Sequence, residues 1–352
     1  MKPIIICGGI GIKLWPLSRK SLPKQFLKIF NGKSLFQLNW TALRTSFRAD
    51  EIYIQTNEFQ AGLALEQVPE VLPDHIFIEP KTLNQGPATG FCAAKLYKQF
   101  PDEAFMLVQA DVLRTPTNRF IDFMRYAEKL IMENQLLVTG LVRPKQGIEG
   151  IDFMITGQQI PSTHDMNVYR LEKWVMRNSP TRKKIYDCSK IYAHANYYAW
   201  TPRLMLKAFE QYAPEWYQPL ANMIEAFDTN KEEEVIKREY NRMPPGPIED
   251  RVTNHIMKNG LLVECPFEWL DLGTWDSLES YWREAGIKPS CQVIAVDSAD
   301  SFVMAQKTVV ILGIDGLQVI DSPDALLITR KNSGQQIGKV ISILQDHHPE
   351  LL

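Results

Sequence analysis

The chain predicts an α/β fold: a Rossmann-like mixed, mostly parallel sheet with helices on both faces, followed by a small β-helix-like domain. Three observations lead there. Short β-branched runs alternate with amphipathic segments through the first half of the sequence. The first of those runs, IIIC, opens into a glycine loop at Gly8, Gly9 and Gly11. Beyond about Lys288 helical periodicity gives way to closely spaced apolar runs separated by Asp, Ser and Gly. These observations divide the chain into a catalytic-size domain over 1–287 and a β-rich domain over 288–352.

The elements follow in order. IIIC is a strand, and 34–46 has the apolar spacing of an amphipathic helix. EIYIQT and HIFIEP are strands; 87–99 is helical, with Ala88, Phe91, Ala94 and Leu96 on its apolar side. AFMLVQAD is a strand ending in Asp111, 119–134 is a helix, and LLVTGL is a strand containing Gly140. Gly8–Gly11, Asp111 and Gly140 therefore fall at strand carboxyl ends, where open α/β sheets bind ligands. VYRLEKWVM and KIYAHANYYAW read as strands, 202–212 and 217–228 as helices. LLVECPFEWLDLGTWDSLESYW reads as a strand, a turn and a helix start near Asp276. CQVIAVDS, SFVMAQ, TVVILGID, GLQVIDS and DALLITRK are the β runs of the tail, with a helix over 335–345.

Composition bounds the function. The chain has 352 residues, 45% hydrophobic, with a formal net charge of −2. That near-neutral balance excludes a charge-driven nucleic-acid or acidic-membrane binder. No apolar run approaches the roughly 20 residues of a membrane span, and MKPIIICGG lacks the pattern of a secretory signal, so a cytoplasmic enzyme is expected. Cys7, Cys92, Cys188, Cys265 and Cys291 are odd in number and widely spaced, which points to neither a disulfide framework nor a zinc site. Cys7 is expected to be a small buried hydrophobe.

The string from Ile4 to Phe26, IIICGGIGIKLWPLSRKSLPKQF, carries the most chemistry. A strand leading to a side-chain-poor loop lets backbone N–H groups approach an oxyanion. Lys13, Arg19, Lys20 and Lys24 then supply charge for a polyphosphate. The loop is not a P-loop, because no Ser or Thr follows Lys13, and not GxGxxG, because Leu14 stands at the last position.

This string resembles the N-terminal signature of the sugar-1-phosphate nucleotidylyltransferases, in particular the mannose-1-phosphate guanylyltransferases in their short form without an isomerase domain. Their pattern is roughly GGxGTRLWPLSRxxxPKQF; LWPLSRK and PKQF are intact here, whereas the Thr-Arg pair is Ile12-Lys13. WLDLGTWDSL resembles WxDxGxWxxL through Trp269, Asp271, Gly273 and Trp275. EPKTLNQGPA resembles EPxxRNTAPA, with Leu83 and Gln85 in place of the Arg and Thr. The resemblance covers nearly the whole chain, and it suits the tail to a left-handed β-helix.

What the resemblance implies is transfer of GMP from GTP to a hexose-1-phosphate, mannose-1-phosphate first, giving GDP-mannose and pyrophosphate. The alternatives are a nucleotidylyltransferase for another sugar-1-phosphate and a non-catalytic nucleotide- or sugar-binding paralogue. Lys24 would bear on the α-phosphate and Lys13 on the outer phosphates; Arg19 either joins Lys13 or pairs with a carboxylate. Asp111 and Asp271 would share one Mg²⁺, although position alone also allows Asp111 to be a turn cap. Gly8, Gly9, Gly11, Asn84, Gln85 and Pro87 would line the nucleotide site, with Asn84 by its residue type a turn former before a direct reader of the base. Gly140, Glu172, Lys173 and Asn196 would meet the sugar phosphate. Here the chain departs furthest: Trp174 replaces the proline of EKP, and His194-Ala195-Asn196 replaces Asn-Ser-Gly. Glu249 stands at an Asp position, and RPKQGIEGI only loosely matches RPxTGYGYI. The β-rich tail is a candidate surface for a homodimer.

Overall fold

The computed structural model describes residues 1–9, 11–144, 151–162, 164–177, 179, 189–288 and 291–352. The expected sugar-loop segment between Arg143 and Ile151 lies largely outside the described residues, as do Cys188 and the basic run at 182–184.

The strands are β1 (Lys2–Cys7), β2 (Tyr53–Thr56), β3 (Ile76–Ile78), β4 (Phe105–Gln109), β5 (Val112–Thr115), β6 (Val138–Val142), β7 (Phe153–Ile160), β8 (Val168–Val175), β9 (Ile191–His194), β10 (Ala199–Trp200), β11 (Leu261–Glu264) and β12 (Glu268–Asp271), with β13 (Val293–Val296), β14 (Phe302–Met304), β15 (Val309–Leu312), β16 (Leu317–Asp321) and β17 (Leu326–Arg330) in the tail. Ten of them form one sheet in the order β11-β8-β7-β9-β6-β10-β4-β1-β2-β3. Its pairings run β1, β2, β3, β4, β6, β7 and β11 in one direction and β8, β9 and β10 against them. The sheet is thus mixed and mostly parallel, as expected.

Residues fall into two compact units that cut across a single division of the sequence. The first comprises Met1–Gly8, Thr41–Gln109 and Arg114–Trp269; the second comprises Gly9–Trp40, Ala110–Leu113 and Leu270–Leu352. The first holds the ten-stranded sheet, and its core includes Phe91, Phe105, Tyr198, Trp200, Phe209 and Trp216. Helices start where capping chemistry allows. Thr201 accepts a bond from Leu204 N ahead of Pro202–Tyr212, with Pro202 at the first helical position.

Strand β10 corrects the single strand expected over KIYAHANYYAW. Asn196 takes φ 54°, a left-handed conformation that ends β9 before β10 begins. Among the elements that escaped the sequence pattern are β5, β7, β12 and the helices Glu58–Gln67 and Glu232–Arg242. The last, EEEVIKREYNR, carries only Val235, Ile236 and Tyr240 as apolar residues, with Val235 and Tyr240 buried.

In the second unit, Leu14, Trp15, Leu27 and Leu35 share a core with Leu272, Trp275, Phe302, Ile320 and Ile341. The tail strands pair as a solenoid. Val293 pairs in parallel with Val309, and Phe302 with Gln318, so each rung advances by the 16 residues that also separate Ser298 from the Ile314 carbonyl it bonds. Positive-φ corners recur at the same interval, Asp297 with Gly313 and Asp300 with Gly316. Antiparallel β17 then closes against β16. Among the described residues, no helix is long and apolar enough to cross a membrane.

Candidate functional site

In the second unit, three expected residues come together. Pro23, extended, leads into a tight turn over Lys24–Phe26 in which Phe26 N donates to the Pro23 carbonyl at 2.9 Å. That turn presents the Lys24 ammonium 2.7 Å from Asp111 Oδ2. Burial pulls the Lys24 pKa down, but Asp111 and Asp271 together outweigh it, so the amine is held above its ordinary value and stays charged. Asp271 is reachable by solvent, yet the protein around it strips part of its hydration and raises its carboxyl pKa; Lys24 counters the rise, and the neighbouring Asp111 charge adds to it. Lys13, exposed on the same unit, acts on Asp271 in the same sense as Lys24.

The sequence explains how these side chains are held. Gly11 has φ 69°, and a Cβ there would fall 2.2 Å from Lys24 Cγ. Only glycine both adopts that backbone and leaves room for the lysine stem. Gln25 is buried and donates from Nε2 to the Gly9 carbonyl at 3.0 Å, tying the loop to the turn. On the other side, a Cβ at Gly273 would lie 2.8 Å from Asp271 Oδ1 and 2.9 Å from Lys24 Nζ. Thr274 and Ser277 then form a capping box that starts the helix Trp275–Glu284.

One supporting residue escaped the sequence reading. Asn39, buried on the helix Leu35–Arg44, donates from Nδ2 to the Ala110 and Val112 carbonyls, both at 3.1 Å. It thereby brackets Asp111. Its signal was an amide on the apolar face of LFQLNWTAL. Arg19, left open above, pairs with Asp324 at 2.7 Å.

Asp111 and Asp271 are the side chains that could hold a divalent cation. Two hard oxygen donors repel one another beside one strongly engaged ammonium, and a cation would relieve that repulsion. Among the described residues no group of three or more His, Cys, Asp or Glu is arranged as a metal cage. A cation that keeps its waters and takes one or two carboxylates suits this donor set.

The first unit holds the remaining expected residues. Gly8 follows β1, with Glu79 Oε1 3.9 Å from where its Cβ would be. Asn84 caps the helix Gln85–Tyr97, accepting from Gln85 N at 2.7 Å, and Pro87 is buried in its first turn. Glu79 is buried and accepts from Tyr240 Oη at 2.7 Å; burial raises its pKa. Gly140 is wedged in the interior, where a Cβ would lie 2.7 Å from Cys265 Sγ and 2.8 Å from Tyr197 Cδ2.

Glu172 and Lys173 are exposed on β8. Ile155 pairs with Lys173 and Thr156 with Leu171, which leaves Glu172 as the extra residue of a β-bulge. Successive strand residues normally face opposite sides, and a bulge re-aims them. Asn196 keeps the left-handed backbone that a glycine would provide, since asparagine tolerates it better than most residues. Its carbonyl accepts from Gln109 Nε2 at 2.6 Å.

The departures from the family pattern bond inside the first unit, but His194 Nδ1 and Glu249 Oε2 are buried with no hydrogen-bond partner among the described residues. Trp174 Nε1 donates to Asp152 Oδ2 at 3.2 Å, and Arg177 Nε to Asp152 Oδ1 at 3.0 Å. Tyr198 Oη donates to Glu249 Oε1 at 3.1 Å. His194 is wholly buried, its Nε2 2.8 Å from Thr139 Oγ1, and burial pushes its pKa down to about 4.

Comparison with known proteins gives the context. A family model described as nucleotidyl transferase matches residues 2–285, and one described as MannoseP isomerase/GMP-like beta-helix domain matches 291–344. A mannose-1-phosphate guanylyltransferase from Salmonella muenchen is 26% identical, covering 97% of this chain and 73% of the relative. One from Klebsiella pneumoniae is 24% identical over 98% of this chain and 74% of its own length. The crystal structure of mannose-1-phosphate geranyltransferase from Thermus thermophilus superposes with a TM-score of 0.83 at 21% identity, over 98% of this chain and 99% of that one. At that identity the likeness shows the fold.

Proposed function

We propose, because this chain belongs to the nucleotidyl transferase family, that it transfers GMP from GTP to a hexose-1-phosphate, with mannose-1-phosphate the first substrate to test. The observation that carries this reading is the cluster of Lys24, Asp111 and Asp271 with Lys13 nearby. A sugar-phosphate oxygen bonds to the α-phosphorus while the bond to the pyrophosphate oxygen breaks, so every reactant is an anion. Lys24, kept charged by two carboxylates, offers its ammonium where negative charge develops on the α-phosphate oxygens. Lys13 offers a second, solvent-reachable cation for the outer phosphates. No protein nucleophile is required.

Asp111 and Asp271 would hold Mg²⁺, which when bound supplies charge neutralisation and Lewis-acid polarisation of phosphate oxygens. The relatives' names support guanine nucleotide and mannose as first choices. A second reading, another hexose- or heptose-1-phosphate, is favoured by the polar network that includes Trp174, His194 and Glu249. Use of a nucleoside triphosphate argues for a cytoplasmic location. Self-association through the tail stays within this proposal, with a second copy as the occupant. Val310, Leu312, Leu326 and Ile328 are exposed around an apolar groove of about 450 Å³ there. Light scattering of the Leu312→Ser, Ile328→Ser variant against the parent tests that point.

A pyrophosphate-release assay with four nucleoside triphosphates and a panel of hexose-1-phosphates, with and without Mg²⁺, tests the reaction. Release that depends on GTP, a sugar phosphate and Mg²⁺ is expected. Nucleotide binding without turnover on any sugar would overturn the enzymatic reading.

A further inference from the structure

We infer that Arg19 is a positioning residue: anchored by Asp324 in the β-rich tail, it holds in place the turn that presents Lys24, and it does not contact phosphate. This rests on the catalytic reading of Lys24 above. Arg19 Nη2 lies 2.7 Å from Asp324 Oδ1 and 3.4 Å from Ser322 Oγ, with 13% of its side chain exposed. Its guanidinium also lies over the Trp15 ring, 5.4 Å from the centroid.

The backbone carries this anchor directly to Lys24. Arg19 N donates to the Leu22 carbonyl at 3.0 Å, and Leu22 N returns the bond at 3.1 Å, closing a tight turn. Pro23 follows with its restricted φ, and the next residue is Lys24. A shift of Arg19 is therefore passed through a closed turn and a stiff residue to the amine.

Other bonds to the same loop agree. Trp15 Nε1 donates to the Leu351 carbonyl at 3.0 Å, and Lys20 N to the Leu352 carbonyl at 2.6 Å. Trp275 Nε1 donates to the Trp15 carbonyl at 2.9 Å, so the helix that follows Asp271 grips the same loop. The tail thus bears on the loop carrying Lys13 and Lys24. One guanidinium nitrogen, Nη2, is already engaged by a carboxylate and a hydroxyl while the group lies against an indole; Nη1 is buried with no hydrogen-bond partner among the described residues.

The experiment is steady-state kinetics of Arg19→Met, Arg19→Lys, Asp324→Ala and the Arg19→Met, Asp324→Ala double variant, with hydrogen exchange over 19–27 read by mass spectrometry on the full chain. Arg19→Met and Asp324→Ala are each expected to lower kcat roughly 3- to 10-fold, with KM for nucleotide within about 2-fold of the parent. The double variant should be no slower than either single one, because the two act as a pair. Arg19→Lys should fall between parent and Arg19→Met, keeping charge but losing the planar guanidinium that lies on Trp15. Exchange at the Leu22, Phe26 and Leu27 amides should accelerate in Asp324→Ala.

A large rise in nucleotide KM for Arg19→Met, with Asp324→Ala at parental values, would make Arg19 a phosphate ligand and overturn the inference. Parental exchange over 19–27 in Asp324→Ala would overturn it as well. Should Arg19→Met fail to fold, Asp324→Ala alone decides. If the parent itself shows no turnover, the proposed reaction fails, and the exchange measurement still decides the positioning role.

Discussion

Two regions use polar side chains in opposite ways. In the second unit, Asp111 and Asp271 are gathered around the Lys24 ammonium, with Asp271 open to solvent. In the first, Asp152, Arg177, Trp174, His194, Thr139, Tyr198 and Glu249 bond largely to one another, with Asp152, His194 and Glu249 buried. The difference teaches where to look for chemistry. Charge gathered where solvent reaches it is available to an ionic ligand, whereas polar groups bonded to one another in the interior serve the fold.

The largest effect should come from breaking the open region. Asp111→Asn and Asp271→Asn should each lower turnover about 100-fold or more with the melting temperature little changed. Parental rates at saturating Mg²⁺ in both would remove them from the reaction. Lys24→Ala should act next, lowering kcat more than it raises KM for nucleotide. Gly11→Ala should mimic it, because the new Cβ would displace the lysine stem. A Gly11→Ala enzyme with normal kcat would show that the stem relocates at no cost.

The closed region should answer through stability and pH. His194 titrates near 4 when folded, held down by burial and by Arg177 while Asp152 opposes them, against an ordinary value of 6.5 when unfolded. As pH falls through that window the unfolded chain takes up the proton first, so stability should drop between about 6.5 and 4. The contribution is on the order of 3 kcal/mol. His194→Gln should flatten this part of the pH profile of thermal unfolding; an unchanged slope would mean that the imidazole is not the group responsible.

Smaller effects sharpen the contrast. Trp174→Phe removes one bond to Asp152 and should cost about 1 kcal/mol of stability, measured by denaturant unfolding. Asn196→Gly should be neutral within about 0.5 kcal/mol because the backbone is already left-handed, whereas Asn196→Ala should cost roughly 1 kcal/mol. Equal effects of Gly and Ala would mean that the side chain, not the backbone, is what the position requires.

Much of this was legible in the chain. The periodicity of Pro202–Tyr212, its proline start and its threonine cap are local properties, and the helix begins and ends as read. That Lys24, Asp111 and Asp271 belong to one site was legible only from the two motifs around Lys24 and Asp271 and the strand-end position of Asp111, read together. The bulge that frees Glu172 was not legible, because it exists only relative to β7, and FMITGQQI is too diluted by Gly157 and two glutamines to declare itself a strand.

The sequence by itself determined the α/β class, the glycine loop, the Lys24 signature and the β-rich tail. The class, the loop and the tail follow from φ/ψ preference and apolar spacing, which act over a few residues; the Lys24 signature comes from the family resemblance. Only the tertiary structure decided that Gly9–Trp40 packs with the tail, that Asn39 brackets Asp111, and that the carboxylate facing Arg19 is Asp324, 305 positions away. An ion pair is specified by where two side chains arrive. Nothing in the local pattern around Arg19 distinguishes Asp324 from any other carboxylate until the core of the second unit has closed.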